Sequence, residues 1–176
     1  MKLSSNVESL LKTTRMRTYR EIDGSTAGDY PAPFVTEHEG AFGDMEWHIT
    51  THYELPEYYK EPGIRWPVYG VGSSISKGQA ICGYSRMQGI RQCDTVYKTS
   101  VSAGVHQRLV AMKGNFMVDG DSGGPWSYVF TAYGIVRGNK KICDHWWQIT
   151  SRCPRRALWT RASYFNAGMG VDVLTL

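Results

Sequence analysis

The sequence predicts an all-β protein, and two observations support this fold class. The 176-residue chain contains 19 glycines, 11 tyrosines and 6 tryptophans, a composition that favours strands and tight turns over long helices. Short strand-like segments broken by Gly and Pro follow one another from Thr26 onward. Their spacing of roughly ten residues is typical of β-sandwiches and β-barrels. A hydrophobic fraction of 41% and a charged fraction of 20% indicate a folded globular chain.

The strand-like segments run along most of the chain. They are Phe34–Thr36, Met45–Ile49, Val68–Val71, Ala80–Cys82, Thr95–Tyr97, Arg108–Ala111, Tyr128–Phe130, Tyr133–Val136 and Leu158–Thr160. In residues 1–20 the only apolar stripe is Val7, Leu10 and Leu11, which predicts a short helix or an unpartnered fragment. The stretch Glu54–Pro67 is rich in Pro, Tyr and charge, and is predicted to be a connecting loop between two lobes.

The charge pattern and the hydropathy argue against two classes of partner. A net charge of +4 is mild, and the basic residues fall in short groups such as Arg155-Arg156, so we expect no nucleic-acid partner. No apolar run approaches the ~20 residues of a membrane-spanning helix, so we expect no membrane partner. Met1–Asp23 lacks the apolar core of a secretory signal, which by itself predicts a cytosolic protein or one whose start is absent.

The four cysteines form two closely spaced pairs, Cys82 with Cys93 and Cys143 with Cys153. Neither pair has the spacing of a zinc site, and no histidine pattern completes one, so no metal is expected. Four cysteines allow three pairings, of which two local disulfides are the simplest. Four free buried thiols are the alternative.

The segment most informative about chemistry is Gly-Asp-Ser-Gly-Gly-Pro at Gly120–Pro125. A serine hydroxyl is a poor nucleophile unless a base removes its proton and donors stabilise the resulting oxyanion. The glycines beside Ser122 allow a turn in which two N–H groups, those of Gly120 and Ser122, converge on one point. The alternative is a glycine-rich turn with an Asp-Ser bend, which is common in β proteins.

This hexapeptide resembles the nucleophile loop of the chymotrypsin-like serine proteases. Tyr133–Gly138 follows where that family has its substrate-pairing strand. Ala80–Ser85 and Gly89–Cys93 look like the disulfide hairpin that opens the second barrel in the bacterial, streptogrisin-like branch. The resemblance extends from Gly40 to the C-terminus, and is strongest near Ser122.

The resemblance implies a chymotrypsin-like double β-barrel. Residues 1–66 would be the remnant of the N-terminal barrel, and residues 67–176 the complete C-terminal barrel with the nucleophile loop. It also implies a secreted, monomeric serine endopeptidase that acts on a peptide or protein substrate and uses no cofactor.

Asp44 is the candidate catalytic aspartate. In the bacterial branch this residue sits in a Gly-Asp-hydrophobic context, and Gly43-Asp44-Met45 matches in kind and in distance from the serine. The role needs a carboxylate held against apolar neighbours so that it orients an imidazole. A surface-turn aspartate is the alternative.

The catalytic histidine is not found in the sequence. The family's Ala-Gly-His-Cys-like segment is absent, and His38 precedes Asp44 too closely to allow the intervening strands. His48 would lie on the same face of a strand as Asp44, but it follows the aspartate, whereas the family's histidine precedes it. Each of the five histidines, His52, His106 and His145 included, is interpreted as a surface or packing residue.

The resemblance also places a substrate pocket. Phe116 is six residues before Ser122, at the base of the primary pocket, and predicts a preference for apolar side chains; an ordinary core phenylalanine is the alternative. Val136, Arg137 and Gly138 would bind substrate, although Arg137 stands where the family usually has a serine. Asp121 would be buried behind the nucleophile and need a cationic partner.

The sequence therefore predicts the machinery of a serine endopeptidase without its general base. A truncated or decayed copy would have little activity as written. The alternatives are a non-catalytic binding protein with a protease fold, and a small β-domain that carries the motif by chance.

Overall fold

A computed structural model of the chain describes residues 13–19, 26–48, 55–61 and 63–176. They belong to two compact units. The first is formed by the described parts of Met1–Glu37 and Glu46–Leu55, and the second by those of His38–Met45 and Pro56–Leu176.

Strands dominate the described part of the chain, which confirms the all-β fold class. They are β1 Thr13–Tyr19, β2 Thr26–Gly40, β3 Gly43–His48, β4 Glu57–Glu61, β5 Ile64–Pro67, β6 Gly70–Val71, β7 Ala80–Ser85, β8 Ile90–Ala103, β9 His106–Met112, β10 Pro125–Tyr128, β11 Thr131–Lys141 and β12 Arg155–Arg161. One short helix, α1, covers Phe165–Met169. No helix among the described residues is long and apolar enough to cross a membrane.

The second unit contains a closed antiparallel barrel. Its strands follow the order β10, β7, β8, β9, β12, β11, and β11 pairs again with β10, which completes the ring. The short strand β6 adds to β11 in parallel. Each barrel strand thus has a neighbour on both sides, so the ring has no open edge.

Two stacked tryptophans lie at the centre of this barrel. Trp126 and Trp159 are fully buried, with ring centroids 5.7 Å apart and planes 18° apart. Around them pack side chains from the other barrel strands, namely Ile81, Val96, Val110, Met112 and Val136. The alternation of these residues along the strands places one face of each strand on the core.

Two local predictions from the sequence are wrong. Thr13–Tyr19 is a strand rather than a helix, because its Thr-rich, alternating sequence pairs with β2 along its whole length. Residues 1–12 lie outside the described residues. Glu57–Pro67 is a hairpin, in which the Tyr58 ring is buried and Trp66 packs on Phe130 at 5.3 Å. The charged residues of this segment favour a loop prediction, whereas the packing of Tyr58 and Trp66 stabilises the hairpin.

Both predicted disulfides are confirmed. Cys82 and Cys93 are directly opposite in the β7–β8 hairpin, with their sulfur atoms 1.95 Å apart. Cys143 and Cys153 are joined with sulfurs 2.04 Å apart, and they close the connection between β11 and β12.

Candidate active site

Ser122 lies on the exposed loop between β9 and β10. Gly120 and Gly123 on either side of it have φ of 97° and 82°. L side chains rarely adopt this region, so the turn around the serine requires glycine at these positions. The glycines of the sequence motif therefore stand where the backbone conformation requires them.

Asp121 holds this loop from inside. Its side chain is buried at 2% exposure, and its two carboxylate oxygens accept hydrogen bonds from the N–H of Met87 at 3.1 Å and of Val118 at 2.9 Å. A buried carboxylate is costly unless charge-assisted hydrogen bonds compensate it. These two backbone donors partly compensate the buried negative charge of Asp121, for which the sequence predicts a cationic partner.

Strand β11 fixes the other side of the loop. The N–H of Gly123 donates to Val136 O at 2.8 Å, and the N–H of Val136 donates to Gly124 O at 2.8 Å. In the described part of the chain, the amides of Gly120 and Ser122 donate to no protein acceptor. Their role as the oxyanion hole stays a prediction.

Asp44 is anchored to the barrel through its backbone. The buried Thr160 hydroxyl on β12 accepts a hydrogen bond from Asp44 N–H and donates one to Asp44 O, both at 3.1 Å. Residues far apart in sequence make this contact, and no local spacing could have predicted it.

The Asp44 carboxylate faces two basic side chains. Arg137 Nε lies 3.2 Å and His106 Nε2 lies 3.8 Å from Asp44 Oδ2. The β11–β12 register shifts between Val136 and Gly138, so Arg137 lies at a bulge. Bulges commonly redirect a side chain, and here the result is an ion pair with the aspartate.

His106 is a residue of this site that sequence reasoning missed. The sequence indicates a surface or packing histidine, whereas His106 begins β9 and is largely buried beside Asp44. Its Nδ1 has no hydrogen-bond partner among the described residues. Only strand pairing brings it to the aspartate, since it follows Asp44 by many residues.

None of the three histidines in the second unit hydrogen-bonds to the Ser122 hydroxyl. His38 Nε2 accepts the Phe42 N–H at 3.1 Å, His106 faces Asp44, and the His145 ring stacks on Trp147. In the first unit, His48 contacts Glu46. His52 lies outside the described residues.

Phe116, the predicted pocket residue, is half-buried. Its ring packs on Trp126 at 5.4 Å, and its carbonyl accepts a hydrogen bond from Gln88 Nε2 at 2.7 Å. Val136 is buried in the barrel, while Gly138 pairs with Leu158. Their predicted contacts with a substrate stay predictions.

Several solved structures resemble this chain. A Cellulomonas bogoriensis chymotrypsin has a TM-score of 0.63 at 19% identity, over 83% of this chain and 76% of that one. Thermobifida fusca protease A has a TM-score of 0.62 at 19% identity, over 83% and 75%. A glutamic acid-specific serine protease has a TM-score of 0.59 at 18% identity, over 86% and 75%. No protein-family model and no curated protein sequence matches.

These similarities define the class of fold. The solved structures are bacterial chymotrypsin-like serine proteases, and together with the strand pairings they show that this chain has the chymotrypsin-like double β-barrel fold. At this level of identity they show the fold alone, so the chemistry has to be argued from the residues of the site.

Proposed function

We propose that this chain is built as a serine endopeptidase with Ser122 as its nucleophile. The observation that carries the proposal is the Ser122 loop, fixed from one side by buried Asp121 and from the other by Val136 of β11. These hydrogen bonds fix the loop without using the N–H groups of Gly120 and Ser122. A peptide or protein is the expected substrate.

The proposed reaction is acyl transfer. The Ser122 hydroxyl attacks the scissile carbonyl, and a histidine base, which the described residues do not place at Ser122, would take the hydroxyl proton and return it to the leaving amine. Asp44 orients that histidine, and the amides of Gly120 and Ser122 bind the oxyanion, each worth ~3 kcal/mol in the transition state. Water then hydrolyses the acyl-enzyme.

The general base is the part of this machinery that sets the expected rate. Of the second-unit histidines, His106 is close to Asp44, but it makes no hydrogen bond to Ser122. We therefore expect the chain alone to hydrolyse peptides only at the residual level of a triad enzyme without its base, roughly 10³–10⁴-fold above water.

A non-catalytic peptide-binding protein is the second candidate, and Arg137 favours it. In the proteases this position usually carries a serine, whereas Arg137 forms an ion pair with the Asp44 carboxylate. A cation at this distance partly neutralises the Asp44 carboxylate, whose negative charge would stabilise the imidazolium that forms during catalysis. Strand β11 would pair with a peptide in either case.

Two disulfides in the described chain favour an oxidising compartment, since such bonds are rare in the cytosol. We propose secretion on this ground.

Modification of Ser122 by a fluorophosphonate, which phosphonylates serine, or by a p-nitrophenyl ester, which acylates it, with and without added imidazole, tests the proposal. Free imidazole substitutes for a missing histidine base, so we expect slow modification that imidazole accelerates. Mass spectrometry should place the adduct on Ser122. Ser122→Ala should remove it, and Ser102→Ala, at another exposed serine, should not.

Three outcomes separate the hypotheses. Modification of Ser122 that depends on imidazole supports the endopeptidase design. No Ser122-dependent modification at any imidazole concentration, together with peptide binding, establishes the binding protein instead. Rapid modification without imidazole shows that a histidine of the chain reaches Ser122, and contradicts the expected residual rate.

A further inference from the structure

The connection between β11 and β12 presents an exposed aromatic tip. Trp146 is 92% exposed, Trp147 64% and Ile149 63%. The other described tryptophans of the barrel, Trp126 and Trp159, are fully buried. Exposed apolar clusters of this kind commonly mark an interaction surface.

The tip is held in one conformation. The Cys143–Cys153 disulfide closes it. Gln148 Oε1 accepts hydrogen bonds from the N–H groups of Asp144 at 2.7 Å and His145 at 3.1 Å. The Trp147 ring stacks on His145 with centroids 4.5 Å apart. A segment that is ordered before it binds loses less conformational entropy on binding, so the order of this tip favours association with a partner.

The charge around the tip indicates what the partner is. Residues 139–156 hold five basic side chains and one acidic, a net charge of +4, equal to that of the whole chain. The rest of the chain is therefore balanced, and the excess positive charge lies in this one hairpin.

The strand register places like charges opposite one another, one pair on each face of the hairpin. Lys140 is opposite Arg156, and Lys141 is opposite Arg155, so two successive cross-strand pairs join like charges. Like charges directly opposite one another destabilise a sheet. Arg156 is compensated by Asp144 at 2.6 Å. Within the described residues, no carboxylate forms an ion pair with Lys140, Lys141, Arg152 or Arg155.

We propose that this hairpin tip binds the surface of an anionic phospholipid bilayer. Tryptophan combines an apolar body with a polar N–H and is favoured at the boundary between headgroups and acyl chains. Lysine and arginine beside it reach lipid phosphates. This combination favours an anionic bilayer over an acidic protein. The contact lies in the interface and needs no spanning helix, although it departs from the expectation of no membrane partner.

The binding test uses the full, disulfide-bonded chain and sedimentation with vesicles. We expect binding to vesicles of phosphatidylcholine with about 30% phosphatidylglycerol, and little binding to phosphatidylcholine alone. Salt should weaken it, since the Debye length falls from ~10 Å at 0.1 M to ~3 Å at 1 M. Trp146→Ser/Trp147→Ser and Lys140→Gln/Lys141→Gln should each reduce the affinity at least tenfold.

Matched variants separate a specific site from general stickiness. Tyr69→Ser/Val105→Ser removes two exposed apolar side chains elsewhere, and Lys60→Gln/Arg65→Gln removes two positive charges on the separate β4–β5 hairpin. Both should bind like the parent. The substituted side chains are exposed, and Lys140 and Lys141 donate only to the Ser102 and Ser151 carbonyls, so the urea midpoint of these variants should fall little, which excludes unfolding as the cause.

Three results overturn the proposal. They are no binding to anionic vesicles at low salt, equal binding to both vesicle compositions, and equal losses in the control variants. Self-association without vesicles that the Trp146→Ser/Trp147→Ser variant abolishes would assign the tip to a second copy of the chain instead. Ser122→Ala should bind vesicles normally, so this outcome is independent of the proposed reaction.

Discussion

At the residue scale, Phe116 links the barrel core to the proposed substrate pocket. Its ring contacts Trp126 inside the barrel, and it stands six residues before Ser122. An apolar ring at this position offers no partner for a charged side chain, and an unpaired buried charge is strongly disfavoured. Apolar residues should therefore be preferred.

Peptide binding to the Ser122→Ala variant tests this preference without hydrolysis. Product-like peptides ending in Leu or Phe should bind at least about tenfold more tightly than those ending in Lys or Arg, a difference of ~1.4 kcal/mol. Phe116→Asp should reverse the order, because the carboxylate pairs with the basic side chain. Tighter binding of Lys or Arg by the parent would contradict the pocket assignment.

Gly134 is a second residue whose role is set by its neighbours. It lies on β11 opposite Arg161, and a Cβ there would be 1.9 Å from the Thr160 carbonyl oxygen. Backbone cannot yield as a side chain can, so Gly134→Ala should lower the free energy of unfolding by about 3 kcal/mol. Urea denaturation measures this. Gly70→Ala, which meets nothing within 4 Å, should have little effect.

At the element scale, the β11–β12 hairpin is joined to β8 by an ionic and aromatic cluster. The Arg156 guanidinium lies 3.7 Å from the Tyr97 ring centroid and pairs with Asp144. Hydrogen bonding from Tyr97 lowers the pKa of Asp144 below 3.8, with Arg156 contributing. The same hydrogen bond raises the pKa of Tyr97 above 10.0.

These shifts predict how stability depends on pH. Asp144 has a lowered pKa, so its contribution is present above pH 3.8 and is lost as the pH falls through its folded-state pKa. Tyr97 has a raised pKa, so its contribution is present below pH 10.0 and is lost as the pH rises through its folded-state pKa. Asp144→Asn should lower the free energy of unfolding between pH 3.8 and pH 10.0. It should also reduce the loss of stability at both ends of this range.

Urea midpoints measured across this pH range test the cluster. Asp119→Asn, at an exposed aspartate outside the cluster, should leave the shape of the profile unchanged. Parallel profiles for the parent and Asp144→Asn would show that Asp144 does not contribute in this way.

At the scale of the whole molecule, the segment His38–Met45 joins the closed barrel through Thr160. The Thr160 hydroxyl is fully buried and makes both hydrogen bonds to the Asp44 backbone. This contact sets the position of Asp44 relative to Arg137, because Thr160 and Arg137 lie on the paired strands β12 and β11.

Thr160→Val keeps the shape of the side chain and removes its hydroxyl. The Asp44 N–H and carbonyl would lose a partner, so the free energy of unfolding should fall by about 1–3 kcal/mol. The exposed Thr150→Val is the matched control and should be nearly neutral. An unchanged denaturation midpoint for Thr160→Val would show that the segment is held by other contacts.

Local chemistry in the sequence determined the fold class, the Ser122 loop and both disulfides. Glycines at Gly120 and Gly123, the strand spacing and the short cysteine separations are properties of neighbouring residues, and a sequence displays them directly. The same local view failed for Glu57–Pro67, where the decisive contact is between Trp66 and the distant Phe130.

Only the tertiary structure decided what surrounds Asp44. His106, Arg137 and Thr160 come from three strands whose pairing is non-local, so no spacing in the sequence connects them to the aspartate. The like-charge pairs of the β11–β12 hairpin depend in the same way on strand register. A sequence lists the groups capable of chemistry, whereas strand pairing decides which of them meet.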